Sequence, residues 1–98
     1  MRTDKDFHET FLNKIDSSKI KTRSMMGEYL LYYDGKVIGG LYDNRLLVKA
    51  TKSALKELEG YELVSPYPHA KEMTFISNMN DIKDIETLFA GIKNDLHK

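Results

Sequence analysis

Two apolar and aromatic runs, residues 29–33 and 36–41, are separated by nothing but Asp34-Gly35. That spacing leaves the chain little freedom. Both central positions of a two-residue type I′ turn need positive φ, which Asp and Gly tolerate, and the twist of such a turn suits antiparallel strands. The segment is therefore predicted to be a β-hairpin. A second turn is predicted at Asp43-Asn44, leading into Arg45-Leu46-Leu47-Val48-Lys49. With residues 20–26 in front, the stretch reads as a four-stranded antiparallel meander.

Helical spacing flanks the meander. Residues 4–16 are predicted to be a helix capped by Thr3, with Asp6 three positions on and Phe7, Phe11, Leu12 and Ile15 on one face. Thr51 is the expected N-cap and Gly60 the closing residue of a short helix whose apolar face is Ala54, Leu55 and Leu58. Residues 61–70 read as an extended crossover or turn, stiffened by Pro66-Tyr67-Pro68. Residues 72–77 read as a fifth strand. Asn80 or Asp81 is the expected cap of a last helix with the stripe Ile82, Ile85, Leu88, Phe89, Ile92 and Leu96. Gly91 inside that helix costs about 1 kcal/mol relative to alanine and points to close packing. The order α-β-β-β-β-α-β-α predicts an α+β fold in two layers, an antiparallel sheet of about five strands with three helices. At 98 residues, the chain is expected to be one domain over 1–98.

A two-layer fold needs only one apolar sheet face, yet both registers of the hairpin carry apolar residues. Leu30, Tyr32, Ile38 and Tyr42 fall on one parity, and Tyr29, Leu31, Tyr33, Val37 and Leu41 on the other. Either the outer face meets a partner or helices wrap both sides. Gly39-Gly40 in mid-strand is expected to mark a bulge.

Most chemistries lack their residues. There is no cysteine, hence no disulfide, thiolate nucleophile or cysteine metal site. His8-Glu9 begins like a zincin helix, but Leu12 stands where the second histidine belongs. His8, His69 and His97 lie in separate segments. No glycine-rich phosphate loop or nucleophile elbow occurs, and Asp81, Asp84 and Glu86 read as charges favoured by a helix N-terminus. The expectation is a non-enzyme without catalytic residues, metal or cofactor. An alternative is a small-molecule binder or minor enzyme using the Tyr67/His69 loop with Asp43 or Arg45.

No apolar run suits a signal peptide or membrane span, so the cytoplasm is expected. Lysine plus arginine balances aspartate plus glutamate, 15 against 15, which lowers the expectation of autonomous nucleic-acid binding. Lys19, Lys21 and Arg23 do alternate, pointing one way from a strand. With Arg45 and Lys49 they form the alternative, a nucleic-acid contact. The favoured reading is a solvated edge strand that resists edge-to-edge pairing, because no aromatic stacking residues are interleaved in that run.

The run Arg23-Ser24-Met25-Met26-Gly27-Glu28-Tyr29-Leu30-Leu31-Tyr32, followed by Asp34-Gly35-Lys36, resembles the TfoX N-terminal domain family. That family typically shows Arg-x-Met-Phe-Gly, a Leu-Tyr pair and an Asp-Gly hairpin. Leu46-Leu47-Val48-Lys49 and the Pro66-Tyr67-Pro68 segment before a strand fit as well, so the similarity runs over about residues 5–95. Met26 stands where phenylalanine is usual, and Leu30 where glycine is common. The resemblance implies an antiparallel α+β fold and a regulatory role in transcription of competence or DNA uptake, exercised together with the cyclic-AMP receptor protein. The family's competence regulators carry a second, helical domain, whereas this chain ends at Lys98 and is expected to be a free-standing unit. The leading expectation is a regulatory or protein-interaction module whose partner is itself, as a homodimer, or a transcription regulator. Its candidate surface is Arg23, Met25, Gly27, Tyr29 and Tyr32.

Overall fold

The computed structural model describes residues 2–96. Three helices, α1 (Lys5–Asn13), α2 (Lys52–Glu57) and α3 (Ile85–Leu96), accompany six strands: β1 (Ile20–Met25), β2 (Glu28–Tyr33), β3 (Lys36–Leu41), β4 (Leu46–Lys49), β5 (Leu63–Val64) and β6 (Met73–Ile76). They form one antiparallel sheet in the order β1-β2-β3-β4-β6-β5. The fold is α+β, with one strand more than expected. The extra strand, β5, lies within the predicted crossover and pairs Leu63 with Thr74 and Val64 with Met73.

Three two-residue turns shape the meander. Asp34 and Gly35 take φ of 49° and 84°, and Asp43 and Asn44 take 53° and 58°, so both predicted turns are in the left-handed region. The third falls where residues 20–26 are expected to continue as strand. Instead Met26 and Gly27, at φ 52° and 87°, form the β1–β2 turn. Methionine pays a steric cost there that glycine does not, and the register Met25↔Glu28 leaves no alternative.

The bulge lies in β3. Leu31 pairs with Gly39, but Tyr32 pairs with Val37, so Ile38 is the extra residue. This exchanges the expected parities of Val37 and Ile38. Ile38 turns into the core with no exposed surface, while Val37 joins Tyr32 on the opposite face. Gly39 follows because its backbone is pressed against β4. A Cβ there would fall on the carbonyl oxygen of Leu47 and 2.8 Å from Val48 Cα.

All three helices cover one face. Phe11 of α1, Ala54 of α2 with Leu58 just beyond it, and Leu88, Phe89 and Ile92 of α3 are buried with Ile20, Leu31, Tyr33, Ile38, Leu41, Leu46, Val48 and Ile76. Leu12 and Leu55, expected on apolar helix faces, are 36% and 48% exposed. Gly91 faces Ser53, where an added Cβ would stand 3.2 Å from the serine Cβ, which accounts for the glycine as a close α2–α3 approach.

The helix starts differ from expectation except at α2, where Thr51 accepts from the Ala54 N–H. Asp84, not Asn80 or Asp81, caps α3 by accepting from the Thr87 N–H and hydroxyl at 3.2 and 2.7 Å. Residues Met79–Asp81 form a separate 3-10 turn capped by Asn78. Thr3 does not cap α1. It is buried, and its hydroxyl has one hydrogen, which goes to the Glu28 carboxylate at 2.6 Å while the oxygen accepts from the Asn44 N–H. Its N–H donates to the Gly27 carbonyl, so Thr3 ties the N-terminal segment across two turns.

Gly39→Ala is expected to lower stability by about 3 kcal/mol, because the β3 and β4 backbones must separate to admit a methyl group. The urea midpoint would fall with the denaturant slope unchanged. An unchanged midpoint would show that the close approach is absent.

Candidate functional site

Cross-strand partners share a sheet face, so the register identifies the residues on the side away from the helices. One row runs Arg23, Leu30, Gly40, Leu47, Phe75. A second runs Lys21, Tyr32, Val37, and a third Lys49, Met73, Val64. Leu47 has no exposed surface and yet is absent from the core cluster under the helices, so it is buried from this outer side. Its row neighbour Gly40 carries the ring of Tyr42, whose Cε2 lies 2.6 Å from where a Cβ would be. Tyr42 in turn meets Tyr67 with ring centroids 6.5 Å apart. Burial lifts the Tyr42 phenol above its ordinary value, with repulsion from Tyr67 and Glu28 adding to it, so the hydroxyl stays neutral.

The Pro66-Tyr67-Pro68 segment lies along one end of this face. Pro66 is buried and Tyr67 is 57% exposed. Beneath the segment is a groove of about 390 Å³ lined by Val37, Tyr42, Lys49, Tyr67, Lys71 and Met73, among others. His69, Asp43 and Arg45, the other members of the suggested small-molecule site, do not line it. Arg45 instead donates from Nε to the Tyr42 carbonyl at 3.3 Å.

The five residues of the expected interaction surface divide between places. Arg23 and Tyr32 share the outer face, in adjacent rows. Met25, 47% exposed, has the parity of Arg23 and so falls on the outer face at the β1–β2 end, paired with Glu28, while Gly27 is in the turn itself. Tyr29 lies on the helix side, pairing with Leu41, and stacks on His8 with centroids 3.8 Å apart and planes within 14°. Of the basic set, Lys21, Arg23 and Lys49 share the outer face, the first two exposed and the third half-buried. Lys19 precedes β1 and Arg45 sits at the β3–β4 turn. Leu30, Val37 and Phe75 were missed as surface residues. Phase relative to Ile76 would have located Phe75, but Val37 was hidden by the bulge. Among the described residues no three His, Cys, Asp or Glu side chains converge to hold a metal ion. His97 lies outside the described residues.

A sheet backed by helices on one side and bare of them on the other, with cations and half-buried rings sharing the bare side, makes this a two-layer α+β domain. The TfoX N-terminal domain model matches residues 11–92, and the chain belongs to that family. It is also similar to an uncharacterized 12.7 kDa protein in the trpE 5′ region of Spirochaeta aurantia, with 44% identity over 54 residues. That match covers 55% of this chain and 47% of the relative, so the chain spans about half the length of the relative it matches. No solved structure matches the chain.

The His8 ring also pairs through Nε2 with the Thr22 hydroxyl at 2.7 Å, which anchors α1 to β1. Burial depresses its pKa, and the nearby Glu9 charge opposes this in part. The unfolded chain therefore takes the proton first as pH falls. Stability contributed by neutral His8 is complete above about pH 6.5 and declines from there down to the folded-state pKa. His8→Ala is expected to cost about 1–2 kcal/mol at neutral pH, from the lost ring stack and hydrogen bond. It should also flatten the pH dependence in that window, as read by urea midpoints at pH 5 to 8. A midpoint that His8→Ala leaves in place would rule out the anchor.

Proposed function

We propose that this chain is a non-enzymatic regulatory module of the cytoplasm that acts by binding a macromolecule on the helix-free face of its sheet. The observation that carries this reading is the pair of rows Arg23–Leu30–Gly40–Leu47–Phe75 and Lys21–Tyr32–Val37. Leu47 is covered by the chain itself, but Leu30, Tyr32, Val37 and Phe75 stay half-exposed, although a one-sided sheet is stable with polar residues on its open face. A half-apolar surface rimmed by charge is how interaction sites present themselves. The regulatory part of the reading draws on the family, whose resemblance implies a role in transcription and DNA uptake. No helix among the described residues is long and apolar enough to cross a membrane.

A photocrosslinking residue placed at Tyr32 tests the surface, with the same residue at the exposed Lys56 of α2 as comparison. Irradiation of living cells is expected to give discrete adducts from position 32 and none from position 56. Adducts confined to position 56 would move the working surface to the helix side and end this reading.

A further inference from the structure

We propose that the helix-free face binds single-stranded nucleic acid, with bases stacked on its half-buried rings and phosphates met by Lys21, Arg23 and Lys49. The proposal rests on the reading of this face as the binding surface and names its occupant. Along β1 the cations have no aromatic neighbours in sequence, but the sheet supplies them. Lys21 pairs across to Tyr32, and Arg23 pairs to Leu30 in the row that ends at Phe75. Tyr42 and Tyr67 continue the aromatic surface beyond Gly40. Cations interleaved with flat rings on an open sheet are what sequence-tolerant single-strand binding requires, because every base offers a π face and every nucleotide a phosphate.

Charge supports the same occupant. Among the described residues none of the three cations is engaged in an ion pair; the ion pair of the helix side joins Lys93 to Asp34. Of the nearby carboxylates, Glu28 is occupied by Thr3 and the Asp43 N–H, Glu62 stands at the far β5 margin, and Glu72 lines the groove together with Lys49 and Lys71, where the two lysines outnumber it. The positive charge is spread from β1 to β4, about 14 Å at ordinary strand spacing, while the apolar residues lie between. A second copy of the chain placed face to face would bring these cationic flanks together. A duplex would hide its bases from the rings. A single strand satisfies both features at once, and a chain of zero net charge can hold it because the positive charge is local.

Fluorescence anisotropy of the full chain with labelled oligo(dT) and oligo(U) of about 12 nucleotides tests this. A Kd of about 10⁻⁴ to 10⁻⁶ M is expected for either oligomer, with weaker binding to a duplex of equal length. Three phosphate contacts give a salt slope near −2, so binding should weaken about 20-fold between 50 and 200 mM salt. In Lys21→Gln/Arg23→Gln one contact remains, and the same change of salt should cost only about threefold. Tyr32→Leu keeps the apolar bulk and should weaken binding about tenfold without reducing the salt slope. Should Tyr32→Leu lose its fold, the exposed pair of charge variants carries the test. No binding at 50 mM salt, equal binding to the duplex, or variants indistinguishable from the parent would each overturn the proposal. The crosslink at position 32 separates this from the broader reading. Nuclease-sensitive adducts support single-strand binding. Protein adducts alone overturn it while leaving the face as the working surface, and adducts from position 56 alone defeat both.

Discussion

The close approach of β3 to β4 at Gly39 is the constraint on which the other features depend. Only a residue without a Cβ lets the Leu47 carbonyl and Val48 Cα come so near. The same stretch of β3 accommodates the extra residue Ile38 opposite the Leu31–Tyr32 step. Moving one strand by one residue turns every side chain beyond it to the other face. Here the shift places Ile38 beneath the helices and Val37 beside Tyr32. Without it, a fully buried isoleucine would face outward and a valine would stand in the core.

The two faces that result are unequal. The inner one is closed by three helices and by ring contacts such as Tyr33 edge-on to Phe89 at 6.4 Å. The outer one is covered in part, by Tyr42 folded over Gly40 and by the Pro66-Tyr67-Pro68 segment, and Leu47 and Met73 are buried there. That partial cover keeps the mid-sheet residues dry enough to avoid an aggregation-prone surface, while leaving rings half in water. The edge is guarded separately. Lys21 and Arg23 on the outermost strand make pairing of β1 with another sheet unfavourable, and the same two charges border the open face. One pair of residues therefore both guards the edge and borders the open face.

The parts of the fold legible in the sequence are those specified locally. Asp34-Gly35 and Asp43-Asn44 announce turns because their chemistry suits positive φ, and Thr51 announces a cap because its partner is three residues away. What was not legible depends on residues far apart in the chain. Met26 carries no turn signal, and its left-handed conformation is imposed by the pairing of β1 with β2. β5 exists through its bonds to β6, its two residues having no pattern of their own. Thr3 has the chemistry of a cap, but its partners, Glu28 and Asn44, are 25 and 41 residues away. The candidate surface was half legible for the same reason. Arg23 and Tyr32 were singled out from the family-like run, but Tyr29 belongs to the other face, where His8 covers it. The neighbourhood of Lys21 and Tyr32 is a cross-strand fact, invisible in a run where they stand eleven residues apart.

The most direct measurement of the central claim, that register gathers these residues into one binding face, is a backbone amide NMR titration with oligo(dT). The account predicts shifts concentrated at Lys21, Arg23, Leu30, Tyr32, Val37, Lys49 and Phe75, with the exposed surfaces of α2 and α3 unchanged. Shifts spread along β1 alone, or centred on the helices, would contradict it.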